Sequence, residues 1–346
     1  MAGRSSEAPT GSDGPDSALR AAVADGELAA YLHAVRAEPG PSVREIGAVE
    51  LRAGARRRAV LRPPGPAVGV VRDLVVEPGG VPVRLYRPRP QSVALVVYFH
   101  GGMWTIGDLE SHDRFCRRLA VGADAAVLAV DYRRAPEHPY PAAVDDCVAV
   151  VRWALGGTTD PGGAVELGGP VRPVVVAGDS AGGHLATLVC LRLRDEGGPL
   201  PAGQALAYPN TDLTLSCPSV AAKGSGWGLD ADAVAWGAEN WVPDPALRAD
   251  PAVSPLFVPD LTGLPPAVVA TAEHDPLRDE GEAYAERLGK AGVPVQARRE
   301  PGMVHGYLTL DTVSPVAGAC GDRFIADVAA LCLSVGEDPE ASESTA

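Results

Sequence analysis

The sequence predicts an α/β fold, a mostly parallel sheet with helices on both faces. Three observations carry that reading. From about residue 93 onward, short apolar runs alternate with helical apolar spacing, as parallel strands joined by crossover helices require. The run Val174-Val175-Val176-Ala177 passes straight into Gly178-Asp179-Ser180-Ala181-Gly182 and then into a helical pattern. That is a strand, a sharp turn and a helix, with a serine at the apex. Ahead of these, two alternating stretches flank Pro78-Gly79-Gly80 and read as a hairpin.

In chain order, residues 1–17 are rich in Gly, Ser, Pro and Asp and predict disorder. Ser17 to about Ala37 has helical spacing (Leu19, Val23, Leu28, Leu32, Val35), with Ser17 as N-cap. A second amphipathic stretch covers Val43 to Val60. The period then changes to two in Val68–Glu77 and Val81–Arg87, the arms of the hairpin. Strands are expected at Val93–Phe99, Ala126–Asp131, Pro173–Gly178, Ala202–Tyr208, Ala267–Thr271 and Val293–Arg299. Helices are expected to begin near Ser111, Pro141, Ser180 and Arg278, with a last one from Pro315 to Val335. The tail from Gly336 is polar and reads as frayed. One long segment, Asp212 to Leu256, interrupts the alternation and predicts a lid-like insertion.

The 346 residues, 46% of them hydrophobic, suffice for a large core. A net charge of −14 argues against a nucleic-acid or anionic-membrane surface, both of which need clustered Lys and Arg. The six cysteines stand singly, so neither a zinc site nor a redox dithiol is expected. The start of the chain has no apolar core of a signal peptide, and no apolar run approaches the ~20 residues of a membrane span. These features predict a cytoplasmic protein without membrane insertion.

The serine needs a base, and the base needs an orienting carboxylate. On this architecture the order is Ser, then Asp or Glu, then His, with both partners in loops after late strands. Asp275, after the strand at Ala267–Thr271, fits as the acid, with Glu273 second. Asp279 and Glu280 fall in a first helical turn, where the dipole alone explains an acid. His305 fits as the base, in Gly302-Met303-Val304-His305-Gly306 after the final strand. His112 and His138 precede the serine, His184 reads as packed, and His274 shares the acid's own loop. The turn His100-Gly101-Gly102 can aim N–H groups at the serine, and the N–H of Ala181 adds a further oxyanion donor. Trp227, Trp236 and Trp241 in the insertion predict a pocket wall. Trp104 and Asp179, beside the two glycine turns, join them as candidate substrate contacts. No metal or cofactor is called for.

These residues closely resemble the hormone-sensitive-lipase-like family of α/β-hydrolase esterases. The resemblance runs through YFHGGMWTIGDLESHDRFCRRLA (Tyr98–Ala120), DYRRAPEHPYPAAVDD (Asp131–Asp146) and GDSAGGHLA (Gly178–Ala186). It continues in YPNTDL (Tyr208–Leu213), SPL (Ser254–Leu256), AEHDPLRDEGEAYAERL (Ala272–Leu288) and GMVHGY (Gly302–Tyr307). It implies an α/β-hydrolase fold with a mostly parallel eight-stranded sheet. Residues 18–60 and 212–256 would form a helical cap over a catalytic domain spanning 61–335. It makes Ser180, Asp275 and His305 nucleophile, acid and base, and implies a serine carboxylesterase of short-to-medium acyl esters. An amidase or deacetylase, an acyltransferase or a dehydratase on the same site, and a non-catalytic receptor, are the alternatives. The family's pairing through its last edge strand would make a homodimer along Val293–Arg299, although Arg298 and Arg299 equally read as edge protection. One position departs from the pattern. The family's third glycine in the HGG loop is Met103 here, and the implied oxyanion donors are Gly102, Met103 and Ala181. A Met there keeps its N–H, provided the loop does not demand φ > 0.

Overall fold

The computed structural model describes residues 15–38, 40–77, 79–157 and 173–336. Of the disorder expected for residues 1–17, residues 1–14 lie outside them, as does the tail from 337, whereas residues 15–17 begin a helix instead. The chain forms one eight-stranded sheet with the order β1-β2-β4-β3-β5-β6-β7-β8. Its strands are β1 (Val70–Val76), β2 (Val81–Arg87), β3 (Leu95–Phe99), β4 (Ala126–Val130), β5 (Val174–Asp179), β6 (Gly203–Ala207), β7 (Ala267–His274) and β8 (Val295–Val304). The hairpin β1–β2 joins β4 antiparallel, and all later neighbours are parallel. β3 to β6 are buried at every residue, which is why they read as continuous apolar runs. β1, at the edge, is mostly exposed.

Helices cover both faces. On one side α5 (Ala142–Gly157), α6 (Ala181–Asp195) and α9 (Arg278–Lys290) pack on Val97, Phe99 and Val176. On the other, α4 (Leu109–Gly122) and α10 (Pro315–Ser334) pack on Val96, Val175 and Ala177. The alternation of side chains along each strand divides the core into these two layers. All six cysteines are free, and five are buried.

The N-terminal region differs from the single helix expected. It breaks into α1 (Pro15–Ala22) and α2 (Gly26–Ala37). Asp25 rather than Ser17 caps the second, its carboxylate accepting from Leu28 N at 2.6 Å. Tertiary contacts explain the break. Asp25 also accepts from the Ser314 hydroxyl at the start of α10, and Ala24 N donates to Gly302 O. α3 (Val43–Leu61) follows, opened by a Ser42–Glu45 capping box and kinked at Gly47, where φ is 77°. Segment 212–256 contains α7 (Pro218–Lys223) and α8 (Ala231–Trp241). Arg44 of α3 forms ion pairs with Asp232 and Glu239 of α8 and so links the two excursions.

β8 runs five residues beyond the predicted end at Arg299, to Val304. The register against β7 slips between Ala272 and His274, which accommodates Pro301-Gly302 as a bulge in the strand. Among the described residues, no helix is long and apolar enough to cross a membrane.

Candidate active site

The turn between β5 and α6 places Ser180 at φ 53°, ψ −122°. A non-glycine residue is strained there, at a cost of about 1–3 kcal/mol. Close packing on both sides holds it. A Cβ on Gly182 would come within 1.9 Å of Phe99 O, and one on Gly178 within 2.4 Å of Gly182. Ser180 N donates to Ala207 O at 2.8 Å, tying the turn to β6.

Two late loops bring the partners. His305 follows the bulged end of β8, and its Nε2 lies 2.9 Å from Ser180 Oγ. Its Nδ1 lies 2.8 Å from Asp275 Oδ2. Asp275 is fully buried, and its second oxygen accepts from Leu277 N at 2.8 Å. The Tyr208 ring packs on the imidazole with centroids 4.7 Å apart. This gives a continuous relay from carboxylate to imidazole to hydroxyl.

The rival acids have other partners. Glu273 accepts from Gly302 N at 2.7 Å and so shapes the bulge before His305. Asp279 accepts from Ser219 N. Glu280 is buried beneath Thr211 and Asp212, whose N–H groups it binds, and burial pushes its carboxyl well up. Of the rival histidines, His184 bridges Trp104 Nε1 and Val253 O, and burial pushes its imidazole down to about 3. His274 lies between Ala22 O and Lys223.

The His100–Gly107 loop closes the other side of a cavity of about 250 Å³ that contains Ser180 and His305. Gly101 is not available as an oxyanion donor, because its N–H is spent on Asp179 Oδ1 at 2.9 Å. Among the described residues the N–H groups of Gly102 and Met103 have no protein acceptor. The N–H of Ala181 opens α6, where no intrahelical acceptor exists.

Asp179 borders the cavity, yet its carboxylate is turned to this loop rather than held ready for substrate. It accepts from Tyr98 OH at 2.6 Å as well as from Gly101 N, and His112 Nε2 stands 3.4 Å away. Burial alone would raise this carboxyl. His112 and the two donors outweigh it and hold the group down to about 2. Tyr132 OH donates to His100 O, and Arg52 of α3 donates to Thr105 O, so the loop is fixed from below and above. The braces from Asp179 and Arg52 were not legible in the sequence, since nothing local says which way a side chain beside the serine turns.

Met103 does sit where the loop demands positive φ, at 54°. The strain of about 1–2 kcal/mol is accommodated by a matching gap in α8. A Cβ on Gly237 would lie 2.6 Å from Met103 Cβ. The Met103 side chain, which borders the cavity, thus fills space between the oxyanion loop and α8. Met103→Gly is expected to broaden the acyl-length profile toward longer chains. An unchanged profile in a p-nitrophenyl ester series would remove Met103 as a determinant of length.

The sequence model of the α/β-hydrolase fold family matches residues 96–309, which hold the glycine loop, Ser180, Asp275 and His305. The chain belongs to that family. Within this α/β-hydrolase family it is similar to Carboxylesterase NlhH of Mycobacterium tuberculosis, 44% identical over 71% of this chain and 77% of the relative. It is also similar to the ethyl acetate hydrolase of Pseudomonas putida, 39% identical over 67% of this chain and 73% of that protein. Among solved structures it resembles an ester hydrolase from the Lake Arreo metagenome, complexed with a derivative of bipyridine phosphonate. That match has a TM-score of 0.80 and 35% identity and covers 88% of this chain and 98% of the other. The chain therefore stands among the family's hormone-sensitive-lipase-like esterases.

For this α/β hydrolase the expected tryptophan wall is a correction. None of Trp104, Trp227, Trp236 and Trp241 borders the cavity. Trp104 and Trp241 are buried and stack at 4.8 Å, fastening the glycine loop to α8. Trp236 is also buried on α8. Trp227 stacks on His274 at 4.1 Å, beneath Arg36 and Lys223. Large apolar rings gain most by complete burial, and here that occurs between the insertion and the body. The cavity is lined instead by smaller groups, among them Ile106 and Leu229, and by two arginines of the α3 segment that sequence reasoning passed over.

Proposed function

We propose that the protein is a serine carboxylesterase of small esters, with Ser180 as nucleophile, His305 as base and Asp275 as the group that orients it. The observation that carries this reading is the relay of 2.9 and 2.8 Å beside N–H groups that lack a protein acceptor. His305 Nε2 takes the hydroxyl proton as Ser180 Oγ attacks the ester carbonyl. The developing oxyanion is received by the N–H groups of Gly102, Met103 and Ala181. Imidazolium then protonates the leaving alcohol. Water, deprotonated by His305, releases the acid from the acyl-enzyme. Asp275 stabilises the imidazolium and fixes its tautomer.

The substrate class rests on the size of the cavity and on what its relatives are called. A cavity of about 250 Å³ bordered by α3 and the glycine loop suits short acyl chains rather than emulsified fat. Helices α1–α3 and segment 212–256 act as its cap. The test is a p-nitrophenyl series from acetate to dodecanoate, run with wild type and Ser180→Ala. Turnover by wild type with a maximum at short chains, lost in the variant, supports the reading. Equal inactivity of the two proteins would reject ester hydrolysis.

A further inference from the structure

Six arginines stand between residues 43 and 62. Four of them have carboxylate partners. Arg44 pairs with Asp232 and Glu239, Arg52 with Glu137, Arg56 with Asp108 and Arg57 with Glu50. Arg58 and Arg62 have none among the described residues. These two are also the ones that line the cavity holding Ser180 and His305. In a chain of net charge −14, two neighbouring cations without a carboxylate partner beside the serine need a cause.

Local helix energetics do not supply it. Positions 58 and 62 are i,i+4 neighbours, where like charges repel. The C-terminal dipole of α3 favours cations in this turn, but does not explain why both border the cavity. The carboxylate that favours the charge of Arg62, Asp311, is already shared by Arg114 and Arg118 at 2.8 and 3.2 Å. Arg62 is half-buried, and burial together with Arg58 opposes its charge more than Asp311 supports it. A partly desolvated guanidinium without an anion is costly. Among the described residues the one carboxylate that borders the cavity, Asp179, is consumed by Tyr98, Gly101 and His112. The cavity therefore has a cationic wall with no protein anion to meet it.

We infer that the natural substrates are esters bearing a carboxylate remote from the scissile carbonyl, and that Arg58 and Arg62 receive it. The inference rests on the esterase reading for the reaction and adds the charge of the substrate. A planar guanidinium pairs with a carboxylate through two parallel hydrogen bonds. Two of them would select the ionised half-ester of a dicarboxylic acid, or the ester of a hydroxy acid, over neutral analogues of equal length.

The test compares kcat/KM for two matched pairs. Monomethyl adipate against methyl hexanoate places the charge on the acyl side. 3-Acetoxypropanoate against propyl acetate places it on the alcohol side. Wild type should favour the charged member of at least one pair. That ratio should fall about tenfold in Arg62→Gln, further in Arg58→Gln/Arg62→Gln, and less in Arg62→Lys. It should also fall in about 0.5 M NaCl, which screens the contact. Preference for the neutral member in both pairs, or a ratio the double variant does not move, overturns the inference. Neither arginine has a partner to orphan, so the variants should fold. Calorimetric titration of monomethyl adipate into Ser180→Ala separates the two readings. Binding heat that disappears when both arginines are replaced upholds the carboxylate site even if no ester is hydrolysed, and absence of binding overturns it.

Discussion

Ser180→Ala is expected to lower kcat for p-nitrophenyl butyrate by about 10⁴–10⁶-fold, and adding His305→Ala should lower it only a few-fold more. The non-additivity follows from the geometry. In the proposed mechanism every role of His305 Nε2 follows from its first step, taking the proton of the hydroxyl 2.9 Å away. Without that hydroxyl the imidazole has nothing to activate. Residual rate above the uncatalysed reaction, about 10³-fold, should persist through the backbone donors. Asp275→Asn is expected to cost about 10⁴-fold, because an amide at 2.8 Å from Nδ1 favours the wrong tautomer. A double variant far worse than either single one would mean that the two residues act independently. Stability should move the other way. Ser180 is held at φ 53°, so Ser180→Gly is expected to stabilise the fold by about 1 kcal/mol while abolishing turnover. A lower melting temperature for that variant would show that the turn is not strained.

The second large effect is expected at Asp179. Asp179→Ala would strip the acceptor from Gly101 N and Tyr98 OH, both in the interior. Each orphaned donor costs about 1–3 kcal/mol. The loop that presents Gly102 and Met103 would lose its anchor, so kcat should fall about 10²-fold with a smaller change in KM. A general structural lesion would instead scale the active fraction and leave KM and acyl-length preference intact. Asp179→Asn keeps an acceptor oxygen and should retain most of the rate.

The same residue governs acid stability. Its folded pKa of about 2 lies below the ordinary 3.8. Its stabilisation is therefore complete above about pH 4 and is lost as the pH falls toward 2. The amount is on the order of 2 kcal/mol. Asp179→Asn should remove this contribution, flattening the stability curve in that window. An identical acid-unfolding midpoint in wild type and Asp179→Asn would contradict the assigned charge state.

Much of the site could be read without coordinates. The elbow is a local object. β-Branched residues, two obligatory glycines and an apolar helix occur within a few positions, so sequence spacing reports it directly. Chain order then pointed to His305 and to Asp275 ahead of Glu273, because parallel crossover connections return each late loop to the same edge of the sheet, and the hydrogen bonds separate the two acids. The strand ends were less legible. β8 continues past Arg299 through a bulge that only pairing with β7 reveals. The N-terminal helix breaks at Asp25 because α10 and the β8 bend dock there.

What the sequence by itself determined is the architecture and the segments that supply the relay. Both are written in periodicity, glycine placement and order along the chain, which are local properties. What only the tertiary structure decided is where side chains converge from distant segments. It turned Asp179 toward Gly101 and stacked Trp104 on Trp241 between body and insertion. It also set Met103 against Gly237 and aligned Arg58 and Arg62 with the cavity of a serine more than a hundred residues away. A side chain's direction depends on which surfaces meet across the fold, and that information is spread over the whole chain rather than held at any one position.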